Sequence, residues 1–428
     1  MESKVLCLLV SLRGGSKLFQ SLLDDHPEVI GFPRTFRLTA FLGSINNQID
    51  DAENISNAFI KKYPLFFDGT LWKIVNKLDK ADQLGEKRKE TFKVSQDKFK
   101  NAFLELYNAN KKNAKNLFVS LNCAFQIAKK GYVPEKYIIL YHIHDICFID
   151  DVEQCVSLFG VKNVKVLLTT RHPVGGLNSV FHWMEIQNCL IPVFNNPKSY
   201  IKQSYIFTSE LSKRIKDVDM RINLLEVIRA YRKEVMESLC EWVGISWNDS
   251  LMKSTIMGRK WLGNTQADKP DKIEELKWFK PSNWMEKKDL QIYVTLFPDR
   301  MKMFGPSQVE SIGNLRRLKF LIILPTAVEF KIFIKSLSLF YWYKCISRTI
   351  KELTNREKMY NYKDRGPYEK IQYLYLRFRT GNIITCFIAY VKRVKYLLSF
   401  VGKKEMSEKR DLLFYPIENS CDRSLQKI

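Results

Sequence analysis

Residues Lys4 to Arg34 read KVLCLLVSLRGGSKLFQSLLDDHPEVIGFPR. Val5 to Val10 is an uninterrupted apolar run, the pattern of a strand buried in a parallel sheet. Ser11-Leu12-Arg13-Gly14-Gly15-Ser16-Lys17 breaks the run with two glycines, hydroxyls and two cations. Leu18, Phe19, Leu22 and Leu23 then recur at helical spacing. A strand, a glycine turn and a helix start predict an anion site. The first amides of a helix have no intrahelical partner, and the positive end of its dipole lies there. Glycines let the backbone come close to the anion, and Arg13 and Lys17 supply charge.

The order Arg-Gly-Gly-Ser-Lys excludes a Walker A loop, which needs G-x-x-x-x-G-K-[ST], and the turn holds no acid to bind Mg²⁺. Farther along, Tyr137 to Ile143 reads as a second strand ending in His142-Ile143-His144-Asp145. Histidines at i and i+2 on a strand face one side, and ligands of open parallel sheets sit beyond the strands' carboxyl ends. Asp145 is placed to orient an imidazole. A third metal ligand is not evident, so no metal is expected. Asn163 to Thr170 is a third strand, followed by Arg171-His172-Pro173 and a helical segment carrying Ser179. An arginine at a strand end offers a planar fork to phosphate, and a serine on the following helix adds a donor.

The phrase from Arg13 through Leu22-Leu23-Asp24-Asp25-His26-Pro27 resembles the 5′-phosphosulfate loop of sulfotransferases, R-S-G-T-T-L-L…L-L-x-x-H-P. Gly14 stands for the serine and Lys17 for the second hydroxyl. The spacing from Arg171 to Ser179 resembles the family's 3′-phosphate segment. Ser254 to Thr265, STIMGRKWLGNT, resembles its S-T-x-x-G-x-x-W-x-G-N loop. The resemblance covers about Lys4 to Gly305. It implies an α/β fold of P-loop NTPase-like sulfotransferase type, a parallel sheet flanked by helices. It also implies the donor 3′-phosphoadenosine 5′-phosphosulfate (PAPS).

On that resemblance Arg13, Gly14, Gly15, Ser16, Lys17 and Leu18 hold the 5′ side, while Arg171 and Ser179 bind the 3′-phosphate. Arg259 and Lys260 close on that phosphate, and Trp261 stacks on adenine. Arg13 and Lys17 also stabilise the charge that develops in transfer. The glutamate base that tyrosylprotein and bacterial sulfotransferases place soon after His-Pro has no counterpart, since Pro33 and Arg34 occupy those positions. The expected base is therefore His144, with His142 second, acting on a hydroxyl-bearing acceptor such as a carbohydrate. Two other readings stay open: a non-catalytic nucleotide-binding relative, and a basic peripheral membrane protein.

Composition supports an anionic partner. The 428 residues carry a formal charge of +23. From Pro306 onward there are 24 lysines and arginines against 11 acids, a surplus of 13. With no zinc-finger spacing, RNP phrase or heptads, nucleic acid is not expected as a partner. Residues 326–401 alternate aromatic and basic positions without an apolar run of ~18, which suits helices on an anionic membrane surface rather than across one. The chain thus divides into a sulfotransferase domain, 1–305, and an amphipathic, basic helical extension, 306–428, loosely ordered after Glu405. Nine scattered cysteines without a C-x-x-C pair predict free thiols and a cytoplasmic setting, with membrane association through the extension. Helices are predicted over Ala52–Lys62, Ser95–Ala109, Asn116–Lys129 (ended by Gly131), Asp150–Phe159 and Tyr231–Val243 (ended by Gly244).

Overall fold

The structure, a computed structural model, describes residues 4–11, 13–71, 82–172, 175–176, 179, 214–215, 217–263 and 272–273. It also describes 291–292, 295, 304, 315–325, 329–330, 333–334, 337–340, 343, 347, 383–399, 401 and 411–414. They group into two compact units: 1–170 with 211–276 and 409–428, and 171–210 with 277–408.

In the first unit the described order is β1 (Lys4–Val10), α1 (Ser16–Leu23), β2 (Val29–Gly31), α2 (Leu38–Ser44) and α3 (Ala52–Lys62). Next come α4 (Gln96–Asn108), α5 (Ala114–Lys130), β3 (Ile138–Asp145), α6 (Ile149–Phe159) and β4 (Val164–Thr170). β5 (Asp219–Leu224), α7 (Leu225–Ala230), α8 (Arg232–Val243), β6 (Thr255–Ile256), β7 (Arg259–Lys260) and β8 (Asp411–Leu412) complete it. The main sheet runs β2-β3-β1-β4-β5-β8, and every pairing is parallel. The fold is therefore α/β, a parallel sheet flanked by helices, as the sequence predicts. β1 is central, and Cys7, Leu8 and Leu9 are fully buried, which is what a run of apolar residues without alternation requires.

The helix ends follow from local chemistry. Ser95 accepts from the Lys98 amide and Asp51 from the Asn54 amide, opening α4 and α3. Gly131 and Gly244 close α5 and α8 in the left-handed region. α3, α4 and α5 enclose a lattice of rings. Phe59 lies 5.3 Å from Phe32, 5.5 Å from Phe41 and 5.3 Å from Phe99, centroid to centroid. Cys7, Cys123, Cys155 and Cys240 are buried free thiols.

β8 corrects the expectation of a loosely ordered end after Glu405. Arg221 and Ile222 of β5 pair with Asp411 and Leu412, and Leu413 donates to the Ile222 carbonyl at 2.8 Å. Two residues carry no periodicity, so only the open edge of β5 reveals this strand. Its place in the sheet also shows that the basic tail is not helical throughout.

In the second unit α9 (Leu315–Ile323) packs on α10 (Ile383–Leu398). Leu318, Ile322 and Leu397 form the contact with Ile292. Of the predicted helical extension, residues 306–314, 348–382 and 415–428 lie outside the described residues.

Candidate functional site

β1 and β4 are neighbours whose onward connections part. The chain leaves β1 toward β2 on one side, and the strand after β4 is β5 on the other. Open α/β sheets bind ligands beyond the carboxyl ends of such a pair. The loop after β1 occupies this place. The Ser11 amide donates to the Thr169 carbonyl at 2.9 Å, and the Gly14 amide to the Ser11 carbonyl at 3.0 Å.

Gly14 lies so close to β4 that a Cβ on it would stand 2.4 Å from the Thr170 Cα. Any side chain there, a serine included, would displace backbone. Gly15 caps α1 at φ 84, where a Cβ would meet Leu225 Cδ1 at 2.5 Å. No side chain caps this helix start, and the Phe19 amide makes the first intrahelical bond, to the Gly15 carbonyl at 3.0 Å. The amides before it have no partner within the helix. Arg13 is exposed at φ 61, a conformation uncommon outside glycine.

β3 brings His144 to this loop. Its register against β1 runs evenly to Leu8–His142 and then jumps to Leu9–His144. The extra residue is a bulge, and His144 takes φ 77 within it. The expectation that His142 and His144 share one strand face assumed unbroken alternation, and the bulge breaks it. His142 is buried and His144 exposed, although the rings meet edge to edge-on face at 5.5 Å. His144 Nδ1 stands 3.1 Å from Ser16 Oγ, and Ser16 is itself buried. Arg13 and His144, two non-glycine residues at positive φ, thus border the same helix start. Backbone strain of this kind collects at working sites.

A buried carboxylate supports the strand end. Asp151 accepts from Arg37 Nε at 2.7 Å, from the Thr39 amide at 3.0 Å and hydroxyl at 2.9 Å, and from Tyr141 OH at 2.8 Å. Tyr141 also accepts the Leu38 amide at 2.8 Å, and the Phe36 amide donates to the His142 carbonyl at 3.2 Å. Burial, with Cys155 and Asp151 beside it, pushes the Tyr141 phenol well up, so it remains a donor. The Arg37 guanidinium lies over Phe148 at 3.5 Å.

The Leu-Leu-x-x-His-Pro phrase is a brace. Leu22 and Leu23 are fully buried. His26 accepts the Glu28 amide through Nδ1 at 3.1 Å, and its Nε2 is 2.9 Å from the Ser246 carbonyl. Burial lowers the His26 pKa, against the Ser246 carbonyl and Glu28. The Glu28 carboxylate accepts from the Ser246 amide at 3.0 Å and hydroxyl at 2.9 Å, so it ties two segments together.

The hairpin β6–β7 turns at Met257 and Gly258, both at positive φ. Asp24 fastens it to the end of α1, accepting from the Gly258 amide at 2.7 Å and Thr255 Oγ1 at 3.1 Å. Lys129 pairs with the same carboxylate at 3.2 Å. Arg259 and Lys260, expected on a 3′-phosphate, pair with Glu90 at 3.1 Å and Glu86 at 2.7 Å, and the Gly85 amide donates to the Lys260 carbonyl. Trp261, expected to stack on adenine, is buried, with Lys17 Nζ 5.6 Å from its ring centroid.

Within the second unit, a Cβ on Gly175 would lie 3.3 Å from Arg171 Nη2, so the guanidinium rests over the start of the helical segment. The Gly176 amide donates to the His172 carbonyl at 2.8 Å, and Ser179 is helical one turn from Gly175. His172 is buried edge-on against Phe304 at 5.1 Å.

No family model matches the chain, and no curated protein matches it. Among solved structures it is similar to the sulfotransferase domain of the Synechococcus PCC 7002 olefin synthase. Identity is 14%, over 59% of this chain and 78% of that chain, with a TM-score of 0.34. Among the described residues no group of three His, Cys, Asp or Glu could hold a metal ion.

The structure thus brings Gly14, Gly15, Ser16 and His144 together, with Lys17 on Trp261. Sequence reasoning missed Asp151 with Arg37 and Tyr141, and Thr170 and Leu225 as the walls that require the glycines. Asp151 reads in sequence as an ordinary first-turn helix acid, so no local signal marks it.

Proposed function

We propose that this protein is a sulfotransferase that moves a sulfuryl group from PAPS to an acceptor hydroxyl. The 3.1 Å approach of His144 Nδ1 to Ser16 Oγ, beside an uncapped helix start, carries this reading. The helix start suits an anion, because its first amides have no partner within the helix and Arg13 and Lys17 stand beside it. The donor, when bound, supplies the sulfuryl group, and its departure leaves negative charge on the bridging oxygen.

Amides of the α1 start, with Arg13 and Lys17, stabilise that charge. With Nδ1–H donating to Ser16 Oγ, the Nε2 lone pair of His144 is the base for the acceptor hydroxyl. The Ser16 hydroxyl proton is then directed to the 5′-phosphate. One S–O bond forms to the acceptor as the bond to the nucleotide breaks, and the acceptor's proton passes to His144. Asp151, through Tyr141 and Arg37, is a positioning residue for the end of β3.

The test uses the full chain, with calorimetric binding of 3′-phosphoadenosine 5′-phosphate (PAP) and transfer of labelled sulfuryl to a panel of hydroxyl acceptors. His144→Ala should lose about 100-fold or more in turnover while still binding PAP. Lys17→Ala should weaken PAP binding by roughly tenfold to a hundredfold. Unchanged turnover in His144→Ala removes the base from the proposal. PAP binding without transfer to any acceptor selects a non-catalytic nucleotide-binding protein, and no PAP binding rejects the reading altogether.

A further inference from the structure

The second unit leaves large apolar side chains in water. On α9, Leu318 and Ile322 are buried against α10, while Phe320 is 62% and Ile323 49% exposed. On α10, Leu397 is buried, while Phe387 is 62% and Val391 45% exposed. These exposed groups are neighbours, since Phe387 lies against Tyr390 and the Tyr390 hydroxyl donates to the Ile323 carbonyl. Farther along the chain Phe330 and Ile334 are helical and 60% and 52% exposed, and Leu337, in a turn, is 63% exposed. Soluble monomers rarely leave that many large apolar side chains bare without a use for them.

Charge names the occupant. Residues 311–350 hold seven lysines and arginines against one acid, Glu329, and that acid is buried. The stretch 383–401 holds three cations and no acid. Lys319 on α9 and Lys395 on α10 are exposed. The core of a protein interface is depleted in lysine, and a second copy would set like charges against like. Aromatic and aliphatic groups among cations, without exposed acids, fit the boundary between anionic headgroups and acyl chains. No helix among the described residues is long and apolar enough to cross a membrane.

We infer that the exposed apolar groups Phe320, Ile323, Phe330, Leu337 and Phe387, with Lys319 and Lys395, dock the protein on an anionic lipid surface. The apolar groups enter the acyl boundary and the ammonium groups meet lipid phosphates. This inference is independent of the donor site.

Flotation of the full chain with phosphatidylcholine vesicles, alone or mixed with phosphatidylglycerol, tests it. Binding should require phosphatidylglycerol and fall as salt is raised. Phe330→Ser with Leu337→Ser should lower partitioning by about tenfold or more. Lys319→Ala and Lys395→Ala should each lower it about fivefold, on the anionic vesicles only. Thermal melts and PAP affinity should match wild type in all four substitutions, showing that the fold is kept. Three results overturn the inference: no flotation with either vesicle, equal binding to both, or a dimer by light scattering that Phe330→Ser/Leu337→Ser converts to monomer.

Discussion

Phe36, Phe41, Phe59, Phe99 and Phe118 are buried to 1% exposure or less, whereas Phe320, Phe330, Phe340 and Phe387 are exposed by 60% or more. Most of both sets sit in helical segments, with Phe36 in the loop before α2. In the first region α3, α4 and α5 offer facing apolar surfaces, and each ring finds others at 5–6 Å. In the second, α9 and α10 satisfy one another through Leu318, Ile322 and Leu397 and leave the other faces bare. Apolar content therefore does not decide burial; the presence of a matching face does.

The largest test of that contrast is Phe59→Ala, which opens a cavity among seven rings' worth of packing and should cost about 3–5 kcal/mol in urea unfolding. A loss near zero would mean the lattice is not what holds this region. Asp151→Ala comes next. It removes the buried acceptor of Arg37, Thr39 and Tyr141 and should cost about 3 kcal/mol. Because the same group positions the end of β3, turnover should fall while PAP affinity holds, and Asp151→Asn should recover part of both.

Gly14→Ser would put back the residue usual in the related loop. The structure nevertheless expects about 1–3 kcal/mol of destabilisation and weaker PAP binding, because the new Cβ meets Thr170. Equal stability would show that β4 yields at that point.

A smaller effect is read with pH. Burial raises the Asp24 pKa, but Lys129 and the Gly258 and Met257 amides outweigh it, so the folded value lies below the ordinary carboxylate range. The stabilisation is then fully present above that range and is lost as pH falls through the folded value. Asp24→Asn should flatten the acid limb of a melting-temperature profile. The smallest effect falls on the exposed side, where Phe330→Ser should change unfolding free energy by no more than about 0.5 kcal/mol. A larger loss there would erase the contrast between the two regions.

Much of the fold is legible from neighbours in the chain. The β1–α1 junction, the caps at Ser95, Gly131 and Gly244, and the strand before Arg171 all depend on residues within a few positions of each other. Of the candidate site, the glycine loop and His144 at its strand end were legible, while the approach of His144 to Ser16 was not. The partners of Arg259 and Lys260 lie about 170 residues upstream, and nothing in STIMGRKW announces that Glu90 and Glu86 will claim those cations. The bulge that re-aims His144 needs β1 alongside to count the register, which a strand read alone cannot show.

The amino-acid sequence by itself determined the α/β order and the anion-ready turn, because dihedral preference, capping and apolar periodicity act over a turn or two of chain. The tertiary structure alone decided that His144 meets Ser16 across 128 residues, that Gly14 must be bare against Thr170, and that one set of phenylalanines is sealed while another faces water. Those outcomes depend on which surfaces packing brings together, and that is a property of the whole chain rather than of any segment.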